Sequence, residues 1–349
     1  MRLFTGMTLL LLQKRMKNRL LLYTLPVLVL FLIIFAISFY YLVFLDSYSN
    51  ETKIVEIPKG STLRKIGGIL KDNKLIRNKT LFLVSAYLNG KSNSLKAGEY
   101  EIHSGSSLES IIKKFANGDV YLRQVTIPEG KSIKETAEIF EKNGFAEKEE
   151  FYKLSTDPAY VRELTGKNIA TLEGYLFPDT YSFPKSVETK DVIIAMVDNF
   201  KRVYENLSNR NNTKLSDHEV VILASMIEKE TGVDYEREDI SAVFHNRLKK
   251  GMRMECDPTV IYGMGDKYKG NIRKKDLLTK TPYNTYQIFG LPAGPIANPG
   301  KEALHAALNP SDVNYLYFVS KGDGSHYFST NYRSHVNAVN KYIRNRKKN

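Results

Sequence analysis

The sequence predicts an α+β protein carried behind a single membrane-spanning helix, and three observations predict it. Residues 20–45 contain no charged side chain, a longer run than the ~20 residues a helix needs to cross a bilayer. Beyond it, a strand, turn and helix pattern occurs twice, seventy residues apart. From about residue 168 that regular texture gives way to polar and aromatic motifs packed between Gly and Pro. A length of 349 residues allows two or three domains, and a hydrophobic content of 42% suffices for buried cores. The expected order is a cytoplasmic tail over 1–19, a transmembrane helix over 20–45, a linker over 46–53, small α+β modules over 54–167, and a C-terminal α+β domain over 168–345.

Arg2, Lys14, Arg15, Lys17 and Arg19 precede the apolar run and Asp46 follows it. The positive-inside rule therefore places the N-terminus in the cytoplasm and everything after residue 46 outside. A cleaved signal peptide is the alternative, but the run is too long and lacks a small-x-small exit before Asp46. Pro26 is expected to bend the helix near its start with little consequence. No second run of that length follows, so a single-pass anchor is expected.

The lone Cys256 excludes an intramolecular disulfide framework, so the fold must stand on its core. Five of the formal +13 charges sit ahead of the span, which leaves +8 for the rest. An external location directs that charge toward anionic polymers, the cell wall or lipid headgroups rather than nucleic acid. Lys341, Arg344, Arg346, Lys347 and Lys348 read as a solvated helix end and tail.

The internal echo aligns residues 54–73 (IVEIPKGSTLRKIGGILKDN) with 124–143 (QVTIPEGKSIKETAEIFEKN). Ile57-Pro58-x-Gly60 recurs as Ile127-Pro128-x-Gly130. In each copy an alternating strand meets a Pro-x-Gly turn, and Ser61 or Ser132 can cap a helix with helical apolar spacing. Between the copies, 96–102 reads as a strand and 108–115 as an amphipathic helix. Two copies are too few for a solenoid. The units resemble LysM-like modules, which in that family bind the N-acetylglucosamine of wall glycans; a spacer that holds the remaining chain off the membrane is the alternative. Gly130-Lys131-Ser132 mimics the end of a phosphate-binding loop, but Val125 stands where that motif requires Gly.

Residues 218–231 (HEVVILASMIEKET) form an apolar helix pattern ending in two acids. At 100° per residue Glu230 falls on the stripe of Leu223, Met226 and Ile227, whereas Glu228 falls behind Val221, Ala224 and Ser225. A carboxylate against apolar side chains loses hydration, which raises its pKa and suits a general acid. On the helix alone, a frayed end with solvated glutamates is the competing reading. The segment 172–181 (LEGYLFPDTY) sets aromatics about a Gly and a Pro, either lining a groove or packing a core. An amphipathic helix over 241–250 with Gly251 as C-cap comes next, then Asp257-Pro258 as a turn or helix start. Residues 281–286 and 290–300 cannot be regular helix.

The six histidines offer no H-E-x-x-H and no paired short spacing, so neither a metal nor any other cofactor is expected. Ser110-Ile111-Ile112-Lys113 has no Lys-Thr-Gly partner, and no G-x-S-x-G elbow exists. Elimination leaves carboxylate acid–base catalysis, beside tyrosine and asparagine side chains of the kind that hold sugars.

Residues 172–181, Ser225-Met226-Ile227-Glu228-Lys229-Glu230-Thr231, Asn246-Arg247-Leu248, Asp257-Pro258-Thr259-Val260-Ile261-Tyr262-Gly263, Tyr283-Asn284-Thr285-Tyr286 and 290–300 together resemble the endolytic murein transglycosylase family, MltG or YceG-like. The likeness runs from the anchor to about Tyr342. It implies Glu230 as the catalytic residue of the 168–345 domain and peptidoglycan glycan strands as substrate. It also implies cleavage of the MurNAc-β-1,4-GlcNAc bond to leave a 1,6-anhydro end at an extracytoplasmic face of the cytoplasmic membrane. Coupling to strand growth would bring peptidoglycan synthases as partners. Tyr262, Tyr283, Asn284 and Tyr286 are expected to contact the sugars or position Glu230, with loop packing as the alternative. Two departures stand out: Cys256 where a small polar residue is expected, and Ala293 where a second proline is common. A hydrolytic muramidase would need a second carboxylate, Glu228 or Asp257, to activate water; a noncatalytic wall-binding scaffold would need none.

Overall fold

Helix α1 (Leu3–Tyr40) reaches well ahead of the apolar run, with Pro26 inside it. Its stretch Leu22–Tyr40 is long and apolar enough to cross a membrane. The computed structural model describes residues 3–41, 51–209, 213–230 and 232–344. Most of the 46–53 linker, the end of the expected span, Arg2, Thr231 and the last tail cations Arg346, Lys347 and Lys348 lie outside the described residues. The chain forms two compact units, one up to Leu122 and one from Arg123 onward.

In the first unit the order is β1 (Lys53–Ile57), α2 (Leu63–Asp72), α3 (Lys79–Leu88), β2 (Gly98–Ile102) and α4 (Leu108–Asn117). β1 pairs antiparallel with β2, Ile57 opposite Gly98. Strand alternation turns Val55 and Ile57 inward, where they meet Ile66, Leu70, Phe82, Tyr100, Ile112 and Phe115. The cap of α2 is Thr62 and not Ser61: Thr62 Oγ1 accepts from Lys65 N at 3.2 Å. Thr62 lies three residues before the amide it satisfies, and the seventy-residue alignment sets Thr62 opposite Ser132.

The second unit begins with β3 (Arg123–Thr126), α5 (Ile133–Lys142), α6 (Lys148–Ser155), α7 (Pro158–Thr165) and β4 (Thr180–Phe183). β3 and β4 are antiparallel, Thr126 opposite Thr180 with their hydroxyls 2.8 Å apart. The second copy thus repeats the strand, helices and returning strand of the first, with one helix added. Ser132 caps α5 in a reciprocal box with Glu135. Val125, Ile127, Phe140, Phe151, Leu172, Leu176 and Phe183 share one core with α8 (Thr189–Glu205).

The remaining elements are α9 (Asp217–Glu230), α10 (Arg237–Lys249), α11 (Asp257–Met264), α12 (Lys274–Leu278), α13 (Lys301–Leu308), the hairpin β5 (Tyr317–Ser320) and β6 (His326–Ser329), and α14 (Tyr332–Val339). Ser216 and Glu219 bond reciprocally at the head of α9. Residues 220–227 are buried on every side, where the sequence suggested a stripe; α13, α10 and α11 all pack against this helix, as an all-round apolar surface requires. Pro258 in the first turn of α11 confirms a helix start. Gly251, left-handed at φ +65°, follows α10.

Candidate active site

The last turn of α9 sends three consecutive side chains to three places. Glu228 Oε2 accepts from Gly300 N at 3.0 Å, at the head of α13. Lys229 Nζ donates to Gly130 O at 3.1 Å, in the Pro-x-Gly turn before α5. Glu230 lies close enough to the Cys256 thiol and to Asp257 for both to act on its carboxyl. At 100° per residue neighbouring helix positions diverge in this way.

Glu230 is half-buried. Burial pushes its carboxyl up to about 7; the Cys256 thiol pulls it down and the charge of Asp257 pushes it up. The C-terminal end of a helix also disfavours a negative charge. A carboxyl near neutrality can both give and take a proton at working pH. Burial raises Glu228 too, although the Gly300 amide favours its anion. Asp257 is exposed, and its Oδ1 accepts from Tyr286 Oη at 2.7 Å.

Of the residues singled out from sequence, the structure brings Tyr286 to Asp257 and pairs Tyr262 with Tyr283, ring centroids 4.9 Å apart and tilted 57°. Gly263 permits that contact, since a Cβ there would meet Thr281 Oγ1 at 2.9 Å and Tyr283 Cβ at 3.1 Å. Asn284 is 1% exposed. Its Nδ2 donates to the carbonyls of Asp276, Leu277 and Thr279 at 3.1, 3.2 and 2.6 Å, and its Oδ1 accepts from Tyr286 N at 3.0 Å. All its polar atoms are engaged in shaping the loop that carries Tyr283 and Tyr286.

Two residues that sequence reasoning gave no role tie together the segments around Tyr262. Glu173, 3% exposed, accepts from Ile133 N at 3.0 Å, from Tyr262 Oη at 3.0 Å and from Asn298 Nδ2 at 3.2 Å. Burial pushes its carboxyl up to about 8, against the hydrogen bonds from Tyr262 and Ile133. Asn298 in turn accepts from Gly174 N and Leu176 N at 2.9 and 3.0 Å and donates to Lys131 O at 2.8 Å. Together they join 131–133, 173–176, α11 and the 290–300 loop. Gly174 is left-handed at φ +86°, and a Cβ would lie 2.6 Å from Val221 Cγ1. The available signal was an acid, Glu173, set directly before Gly174 and a run of apolar and aromatic residues up to Pro178.

The Asn246-Arg247-Leu248 motif supports the same region from behind. Arg247 is 6% exposed. It donates to the carbonyls of Leu316, Arg253 and Met254 at 2.7, 2.9 and 3.0 Å, and it reaches Glu255 at 3.0 Å. It thereby fixes the segment 252–256 that leads into α11, where Glu255 is left-handed at φ +52°. On the other flank, Glu236 accepts from His326 N at 2.9 Å and pairs with His326 Nδ1 at 2.7 Å, which fastens the β5–β6 hairpin just beyond α9.

A buried helix ending in a glutamate whose carboxyl burial raises, next to Asp257 and the Tyr286 bonded to it, is the arrangement on which comparison with known proteins bears. The chain matches the YceG-like family over residues 55–341 and belongs to that family. It is 36% identical over 314 residues to a Bacillus subtilis (strain 168) protein named endolytic murein transglycosylase, covering 84% of this chain and 86% of that one. A Streptococcus pneumoniae (serotype 2, strain D39) protein of the same name is 28% identical over 334 residues, covering 86% of this chain and 60% of the longer relative. A solved 2.6 Å crystal structure of a yceG-like protein from Listeria monocytogenes aligns with a TM-score of 0.57 at 34% identity, covering 83% of this chain and 100% of that one.

Proposed function

We propose that this protein is a membrane-anchored, endolytic peptidoglycan lytic transglycosylase with Glu230 as its acid and base. The carrying observation is one half-buried glutamate at the end of a buried helix, its carboxyl held up to about 7. Protonated Glu230 gives its proton to the leaving O4 of N-acetylglucosamine while positive charge grows at C1 of N-acetylmuramic acid. The same carboxylate then takes the proton of the sugar's C6 hydroxyl as that oxygen closes on C1, which leaves a 1,6-anhydro end. Because the nucleophile is already attached, no second carboxylate is needed to hold water, and intramolecular attack gains the advantage of a fixed geometry.

Tyr262, Tyr283 and Tyr286 are the side chains we assign to the sugars, with Asn284 acting through their loop. The strand, helix, helix, strand order of residues 53–102, with its antiparallel pair, supports a LysM-like reading of that module and contact with glycan. The cations at Lys14, Arg15, Lys17 and Arg19, ahead of Leu22–Tyr40, support an N-terminus in the cytoplasm and a catalytic domain over 168–345 outside the cytoplasmic membrane. Such an anchor suits an enzyme that cuts nascent strands near the membrane beside peptidoglycan synthases.

Products decide the reaction. Uncrosslinked peptidoglycan incubated with the full chain in detergent is expected to yield 1,6-anhydro-muramyl ends by mass spectrometry, and Glu230→Gln none. Reducing ends would mean a muramidase with Asp257 activating water; glycan binding without cleavage would mean a scaffold.

A further inference from the structure

Arg253 and Phe289 meet across the seam that joins the segment 252–257 to the loop 281–290. Arg253 pairs with Gly290 in an isolated parallel bridge, and Gly290, left-handed at φ +80°, turns the chain directly after Phe289. Farther along, Glu255 N donates to Thr285 O at 3.3 Å and Cys256 N to Thr285 Oγ1 at 3.0 Å. The other end of the seam is the bond from Tyr286 Oη to Asp257 Oδ1 at 2.7 Å. Four residues of chain span at most about 14 Å, so Arg253 stays within that reach of Asp257, at the head of the helix α11 that packs against α9.

Phe289 is 70% exposed, and the Arg253 guanidinium lies over its ring, 4.9 Å from the centroid. Such stacking engages the face of the guanidinium and leaves its edge, where the N–H donors point, open to solvent. Among the described residues nothing accepts a hydrogen bond from that edge. Arg247, by contrast, spends its donors on the carbonyls of Leu316, Arg253 and Met254, and so pins the main chain beneath Arg253. A guanidinium held flat on a ring, with its donor edge free, is a preorganised receptor for a carboxylate: the fork matches two oxygens, and part of the ordering cost is already met.

We propose that Arg253, carried on Phe289, is a carboxylate-binding subsite for the glycan strand, reading the acidic arm that muramic acid bears and glucosamine lacks. The inference rests on the reading of peptidoglycan as substrate. The two sugars alternate along a strand and differ in one group, the lactyl ether at C3 of muramic acid. Its carboxyl is either free or extended by a stem peptide with carboxylates of its own. Tyr262, Tyr283 and Tyr286 carry no charge with which to read that difference. A fixed cation beside their loop does, and it sets the register in which the strand lies.

The full chain carrying Glu230→Gln, in detergent, binds strands without cutting them and so isolates recognition. Three probes are titrated: uncrosslinked strands stripped of their stems, so that the lactyl carboxyl is free; the same strands with that carboxyl amidated; and strands that keep their stems. Adding Arg253→Gln is expected to weaken binding of the stripped strands about fivefold, the upper range for an exposed ion pair, and to leave the amidated strands unaffected. A loss confined to the stem-bearing strands would place the bound carboxylate on the stem. Phe289→Leu, which keeps an apolar side chain but removes the ring, should give a smaller loss of the same kind. Equal affinity with and without Arg253→Gln on both acidic probes overturns the inference, as does an equal loss on the amidated strands, which would mean a neutral sugar contact. In turnover with Glu230 intact, Arg253→Gln should raise KM more than it lowers kcat. A wild type that releases no 1,6-anhydro ends overturns the proposed reaction, while the binding comparison still decides the subsite.

Discussion

Glu230 and Glu173 both carry carboxyls displaced upward by burial, to about 7 and about 8 from an ordinary 4.5. A raised carboxyl pKa means that the folded protein holds protons the unfolded chain has released. Their contribution to stability is therefore complete below about pH 4.5 and lost as pH rises through 7 and then 8. Glu230→Gln should melt higher than the wild type at pH 8 and gain much less at pH 5, as paired thermal melts would show. In activity the same group predicts a basic limb near pH 7, and its replacement by Gln should cost about 10²-fold or more in kcat. Asn284→Ala predicts a different signature. Removing a buried amide leaves the carbonyls of Asp276, Leu277 and Thr279 without their donor, at about 1–3 kcal/mol, so the melting temperature should fall together with turnover. A loss of turnover at unchanged stability would instead mean a direct sugar contact.

Among the elements, the second strand, helix and turn copy shows what local pattern does and does not carry. α5 was legible because the Ser132 cap and helical apolar spacing lie side by side in the sequence. The first copy was read one residue off at its cap, since Ser61 and Thr62 are adjacent acceptors and only the helix register selects between them. β3 was legible as a strand, but its partner β4 lies more than fifty residues away, and no local rule names a distant partner. The apolar helix that ends in Glu230 was legible from its run of apolar residues, whereas the choice of Glu230 as the acid came from the family resemblance. The Glu173 and Asn298 staple was not, because it depends on residues 125 positions apart meeting in space. Ser132→Ala should destabilise the second unit by about 1 kcal/mol, measured by denaturant unfolding with an unchanged m-value. Glu173→Ala should do more, since three donors lose their acceptor.

For the whole molecule, composition and hydropathy alone made the anchor legible, because a span need satisfy only the bilayer and not a tertiary partner. Its helix nevertheless begins at Leu3, where the sequence suggested a tail. The orientation proposed from the flanking charges can be tested directly. A reporter fused at the C-terminus should be accessible to a membrane-impermeant label in intact cells from which the wall has been removed. Labelling only after lysis would reverse the topology and leave the site on the wrong side for wall glycan.

The divergence of Glu228, Lys229 and Glu230 sets a limit on how this protein can vary. Each added or deleted residue in a helix turns everything after it by 100°. One deletion before Glu228 would hand the α13 cap to a lysine and leave the acid facing the Pro-x-Gly turn. Insertions can accumulate in the surface loops around this helix, but the number of residues between Ser216 and Glu230 is not free to drift. The length of α9 works as a combination lock, and its count belongs to the active site as much as the glutamate does.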